Sequence, residues 1–353
     1  MVLIMLKKIF VFSFSVFVLF GTATQFQRLK YLLKQGKGQI SLIHKAKDIE
    51  KMLSNNNLSD SLKAQLELIR AVKKFAEDSL FLAQTKNYTT FYDAGKNNEI
   101  NWLVLAAYPY ELKPYTWKFP LVGNFPYLGF FNPEDAQKEA EKLKKMGMDV
   151  RISHPVAWST LKVFKDPVLS TMLRYSAGRI AEIIIHETTH ATFFVHNNME
   201  LNENLANFIG KEGALHFLES CYGRQSAPYL AFKAELERKE FVSVFLFKSA
   251  MQLDSLYKQL AEKPDSIKRA EKNSLLRQIE KSYLELPISE KQKQETIKDS
   301  LLYNNSLYTQ FLVYNQSYSA LKQLLLGKYH NSIQLFITDL HQQKHLNQIL
   351  DSL

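Results

Sequence analysis

Only one cysteine, Cys221, occurs in 353 residues, so no internal disulfide can form and no cysteine cluster can hold a metal. A lone cysteine of this kind is expected as a small apolar filler near a helix end. Glycine and proline are scarce, at 12 and 10 residues, which argues against a turn-rich all-β fold and for helices. No Arg-rich block or nucleic-acid motif accompanies the net charge of +10. The lysines are mixed with Glu and Asp along the chain, so solvated helix faces are expected and a nucleic-acid partner is not. Repeats and low-complexity tracts are also missing. What is plentiful is apolar material: 46% of residues are hydrophobic, enough to bury a substantial core.

The amino terminus reads as an export segment. Lys7 and Lys8 precede an apolar run from Ile9 to Phe20, the arrangement of a signal peptide. Gly21-Thr22-Ala23 offers small residues for cleavage after Ala23. The alternative is an uncleaved anchor, since Ile9 to Phe26 is roughly 18 residues and just spans a ~30 Å hydrocarbon core. The positive-inside rule then keeps the two lysines cytoplasmic and puts the body outside. No cysteine follows the run, which excludes a lipoprotein anchor. Residues 1–26 are thus expected to be a signal peptide or membrane anchor. The body is expected on the extracytoplasmic side.

Beyond the leader, 27–353 is expected to form a single domain. Residues 27–100 carry N-terminal helices, with Leu62, Leu66, Ile69 and Val72 at helical spacing. The part from 101 to 168 reads as a small α/β unit. Asn101–Tyr108 is a buried strand, Pro109, Pro114, Pro120 and Pro126 punctuate an irregular aromatic stretch, and Asn132-Pro133-Glu134-Asp135 opens a helix that Gly147 ends. Asp149–His154 alternates as a strand. The remainder, 169–353, is helical, with breaks at Gly210, Gly213, Pro228, Pro264 and Pro287. The fold class is α+β with helices dominant.

Within that helical part, Ala181–His190 reads AEIIIHETTH and contains H-E-x-x-H. On a helix, His186 and His190 are one turn apart on one side, so two imidazoles can grip one ion. Glu187 can then act on a water without ligating the ion: zinc lowers the water's pKa to ~7 and the carboxylate takes the proton. A catalytic zinc needs a third protein ligand. His196 has the third-ligand spacing of H-E-x-x-H-x-x-G-x-x-H, but Phe193 stands where that pattern turns on glycine. Glu203 opens the next helix, in ELNENLANFIG, and Asn202-Glu203 is similar to the glutamate-zincin pattern. Glu200 and Glu212 are further options, and the residues alone leave the choice open.

Several blocks together carry a family resemblance. They are WKFPLVGNFPYLGFF (Trp117–Phe131), AWSTL (Ala157–Leu161), DPVLSTML (Asp166–Leu173), His186–His190, NENLANFIGKEG (Asn202–Gly213), Asn304-Asn305 and the Tyr314 region. In their order and spacing the chain resembles the bacterial family of predicted aminopeptidases, from about Arg28 to Asp339. The resemblance implies a zincin-like metallopeptidase with one Zn2+, Glu187 as general base and peptide substrates. It also favours Glu203 as third ligand, because the short spacing after His190 is similar to that family's own. Many such proteins resemble lipoproteins, which this one does not.

An oxyanion also needs a donor. Tyr314 is the first choice, with Tyr318, Tyr127 and His154 behind it. A substrate strand is expected near Asp149–His154 by analogy with zincins. The reading from another class is a non-catalytic exported helical envelope protein in which a metal is merely structural.

Overall fold

The computed structural model describes residues 23–342 apart from 56, 96–98, 120–122, 155–164, 196–197 and 316–317. For 23–27, 313–315 and 319 it describes the backbone alone. Of the expected leader, therefore, only the last few residues are described, and they begin helix α1 (Ala23–Lys45). Among the described residues no helix is long and apolar enough to cross a membrane.

After α1 come strand β1 (Lys47–Asp48), α2 (Ile49–Leu53) and α3 (Asp60–Asp78). Ser59 caps α3 by accepting the Leu62 amide, and the expected apolar stripe turns inward: Leu66, Ile69 and Val72 are all fully buried. Each such side chain contributes about 1.5–3 kcal/mol of transfer energy before entropy is counted. Strand β2 (Thr90–Tyr92) joins β1 and a later β8 (Val168–Leu169) in one small sheet of order β1-β2-β8.

The middle of the chain is more ordered than its prolines suggest. The aromatic stretch expected to be irregular holds β4 (Trp117–Phe119), β5 (Gly123–Phe125) and β6 (Tyr127–Phe130), after β3 (Trp102–Ala107). Pro114 and Pro126 lie outside the strands, so they cost no ladder hydrogen bond there. Helix α4 (Pro133–Lys145) starts as expected: Asn132 accepts the Asp135 amide at 2.8 Å with Pro133 in the first turn. Gly147 takes φ +79° just after its end. Strand β7 (Asp149–Ser153) follows. The main sheet is antiparallel with order β6-β3-β7. Its Val104, Ala106, Leu128 and Val150 face α4, forming a core of their own with Ala136, Ala140 and Leu143. The outer strands each accept a side-chain hydrogen bond, from Tyr31 to Gly129 O and from Asn304 to Val150 O.

From Ser176 onward the described chain is helical: α5 (Ala177–Thr192), α6 (Met199–Tyr222), α7 (Ala227–Gln259), α8 (Asp265–Leu284), α9 (Glu290–Lys298), α10 (Asn305–Asn315), α11 (Tyr318–Gly327) and α12 (Ile333–Gln342). The architecture is helix-dominated α+β with small sheets. Two expectations are corrected. Gly210 and Gly213 do not break a helix; both are buried inside α6. Cys221, at the end of α6, is exposed rather than a core filler.

Candidate metal centre

Helix α5 runs through the main core. Ser176 caps it, and Ile180, Ala181, Ile184 and Ile185 are at most 1% exposed. Its buried threonines are satisfied by bonding back one turn: Thr188 donates to Ile184 O and Thr189 to Ile185 O. The helix ends at Phe193 in extended backbone, φ −118°. No left-handed turn is made there, consistent with a bulky residue in place of glycine. His196 lies outside the described residues.

Two devices bring α6 back onto α5. The Asn202 side chain grips both backbone groups of Val195: its Oδ1 accepts the Val195 amide at 2.8 Å and its Nδ2 donates to Val195 O at 2.8 Å. Further along, Gly210 allows close approach. A Cβ there would lie 3.0 Å from Glu182 O and 3.1 Å from His186 Cβ. Glycine at this position lets the two helices touch at the turn that carries the first histidine.

The result is convergence. His186 Nε2 and His190 Nε2 are 3.1 Å apart, and each is 3.6 Å from a different oxygen of Glu203. Ligands about 2.1 Å from one tetrahedral ion would be separated by roughly 3.4 Å, so the three edges bracket the spacing such an ion needs. Among the described residues this is the one group of three His, Cys, Asp or Glu side chains so disposed. The donor set, two imidazoles and a carboxylate, fits zinc. Glu200 is exposed and outside the group. Glu212 is committed to Tyr318 at 2.9 Å and Lys322 at 2.7 Å. That pairing also removes Tyr318 from the list of free donors.

The electrostatics follow from burial. Desolvation, helped by the neighbouring His190, pushes His186 down to about 3. Burial works against charge on His190 too, but its hydrogen bond to Glu203 and the charges of Glu203 and Glu187 outweigh it and raise its pKa. Glu203 is lowered despite its burial because both histidines face it. Glu187 is buried beside the group, and desolvation, with Glu203 and Asp166 nearby, lifts it to about 7. A carboxylate with that pKa exchanges a proton readily at neutral pH.

Other residues emerge that the motif does not announce. Asn207, one turn after Glu203, hydrogen-bonds the His186 ring. Tyr127 on β6 is held un-ionised by burial and by the charges of Glu203 and Glu187. Tyr88 presents a sealed hydroxyl with no hydrogen-bond partner among the described residues, and Glu187 and Asp166 act on it. Asn207 was findable from its i,i+4 relation to Glu203; Tyr127 is one of the secondary oxyanion candidates named from the sequence, whereas Tyr88 has no local signal. Tyr314 lies on α10, with its side chain outside the described residues. His154 is exposed and packs edge-on to Trp102.

Fold and centre together define a class: a helix-dominated α+β protein in which two consecutive helices hold a partly buried His-His-Glu group of metal-binding dimensions with a second, buried acid beside it. The family model described as "Putative aminopeptidase" matches residues 30–349, and the chain belongs to that family. No curated protein and no solved structure gives a significant match to the chain.

Proposed function

We propose that this protein is a zinc-dependent aminopeptidase of zincin-like fold, with one Zn2+ on His186, His190 and Glu203 and its body outside the cytoplasmic membrane behind the amino-terminal segment. The observation that carries the reading is the convergence of those three side chains beside the buried Glu187. When bound, zinc would polarise the scissile carbonyl and acidify the attacking water.

The chain's own residues supply the rest. Glu187, lifted by burial to about 7, accepts the water's proton and returns it to the leaving amine. His186, held down to about 3, stays a neutral donor at physiological pH, as a metal ligand must. The Tyr127 hydroxyl, un-ionised and acted on by both acids, would donate to the developing oxyanion, the role the sequence suggested first for Tyr314. Asn202 and Asn207 act as positioning residues, fixing the arrival of Glu203 and the His186 ring. A purely structural ion would need no second buried acid, so Glu187 argues against the non-catalytic reading.

Metal analysis of the purified protein should find one zinc per chain, and digestion of a peptide library should release amino-terminal residues. Glu187→Gln should keep the zinc while lowering kcat by about 10²–10⁴-fold. Undiminished turnover in that variant, or a protein that binds no zinc, would overturn the proposal.

A further inference from the structure

Arg151 on β7 is a half-buried cation with no ion pair among the described residues. Its Nε is sealed from solvent and has no hydrogen-bond partner among the described residues. Its Nη2 is held by the side-chain oxygen of Gln310 on α10, a neutral group. Asp149, two residues earlier and on the same sheet face, is taken by Lys272 at 2.6 Å and by the Asn305 amide at 3.0 Å. Burial alone depresses the guanidinium's pKa, with no carboxylate acting to restore it. A desolvated charge left unpaired is costly, and arginine's planar fork is the shape that takes a carboxylate through two parallel hydrogen bonds.

The register places this cation on the side of the sheet that reaches the metal centre. Leu105 of β3 is paired with Tyr127 on one side and Arg151 on the other. Directly opposed residues project from the same face, so Tyr127, Leu105 and Arg151 share one. It is the face opposite that packed on α4. Tyr127 is the residue on which Glu203 and Glu187 act. Helix α10, which carries Gln310, packs against both the sheet and α6, the helix of Glu203. Two strand spacings separate Tyr127 from Arg151, roughly 10 Å, the length of about three extended residues.

We infer that Arg151 is a substrate-binding residue that receives a carboxylate, and that the preferred substrates are short peptides whose free C-terminal carboxylate lies within about three residues of the scissile bond. The inference rests on the peptidase reading for what is cleaved, but the binding of a carboxylate can be read separately. An acidic side chain on the leaving portion would offer the same chemistry, so the test includes it.

The experiment compares tripeptides ending in a free acid with the same tripeptides ending in an amide, and amides carrying Glu with amides carrying Gln after the scissile bond. Wild-type kcat/KM should fall about 30-fold or more on amidation, the scale of losing one partner of a buried charge pair. Arg151→Met should bring the acid-to-amide ratio close to one, and Arg151→Lys should restore part of it. Binding is read in parallel by calorimetry with the Glu187→Gln protein and the same peptides. If no peptide is cleaved yet the acid still binds more tightly than the amide in an Arg151-dependent way, the subsite stands and the hydrolase reading falls. A preference for Glu over Gln equal to that for acid over amide would replace the terminal carboxylate by an acidic side chain and overturn the short-peptide assignment. Equal binding and equal cleavage of acid and amide by the wild-type protein would overturn the subsite itself.

Discussion

Where β7 meets α8, Lys272 donates to Asp149 at 2.6 Å and to Pro109 O at 2.8 Å, and Asn305 donates to Tyr108 O and Pro109 O while accepting from Tyr257. Where α5 meets α6, two imidazole nitrogens face each other at 3.1 Å with a carboxylate 3.6 Å from both, and a second buried acid has its pKa lifted to about 7. The first cluster pairs its charges and satisfies its donors; the second leaves donors and acids pointed at a common space. Buried polar groups that are fully satisfied fix one structure, whereas groups kept in tension need something else to complete them. The same distinction separates Asp149, which is paired with Lys272, from Arg151 two residues later, which has no ion pair among the described residues.

Perturbing each cluster should therefore damage a different property. The largest effect is expected from Lys272→Met, which strands Asp149 and should cost about 3–5 kcal/mol of stability, measured by urea unfolding, with zinc affinity unchanged. Loss of zinc without loss of stability in that variant would erase the contrast. Gly210→Ala should do the reverse. By forcing α6 away from Glu182 and His186 it should lower kcat/KM by roughly 10²-fold, the scale of an ångström-sized misplacement, while unfolding shifts by about 1–3 kcal/mol. Asn202→Ala should weaken zinc about 10–100-fold in a chelator competition, as loss of an orienting partner does, and leave Glu187-dependent chemistry intact at saturating metal.

The smallest effect concerns pH. Glu182 on α5 is buried, which alone would raise its pKa, but Arg179 at 2.6 Å and Lys239 at 3.5 Å lower it below the ordinary 4.5. A depressed folded-state pKa stabilises the protein above the unfolded value, and that contribution disappears as pH falls through the folded one. Melting temperature should thus decline below about pH 4.5 less steeply in Glu182→Gln than in the wild type. Identical slopes would mean the pair contributes nothing.

How much of this was readable beforehand depends on how local the signal was. The cap at Asn132, the stripe of α3, the two strands β3 and β7 and the H-E-x-x-H helix are set by neighbours a few residues apart, and periodicity reports them. Glu203 could be nominated because it sits near the start of the next helix. Gly210 and Gly213 looked like breaks because sequence shows the missing side chain but not the helix or core side chains packed against it. The strands β4 to β6 were hidden by the prolines of the stretch, of which Pro114 and Pro126 lie outside the strands. Tyr127 and Arg151 come together only through sheet register, which no single stretch of sequence contains.

The grip of Asn202 on Val195 has a consequence for how such a site can vary. With Val195 pinned by Asn202, the sequence spacing between His190 and Glu203 works as a gauge block: it sets the angular position at which the carboxylate ligand arrives over the two imidazoles. Inserting even one residue between Val195 and Asn202 would slacken the loop or rotate α6 by about 100° per residue. A chain with a longer connector would need a different fastening to deliver an acid to the same place.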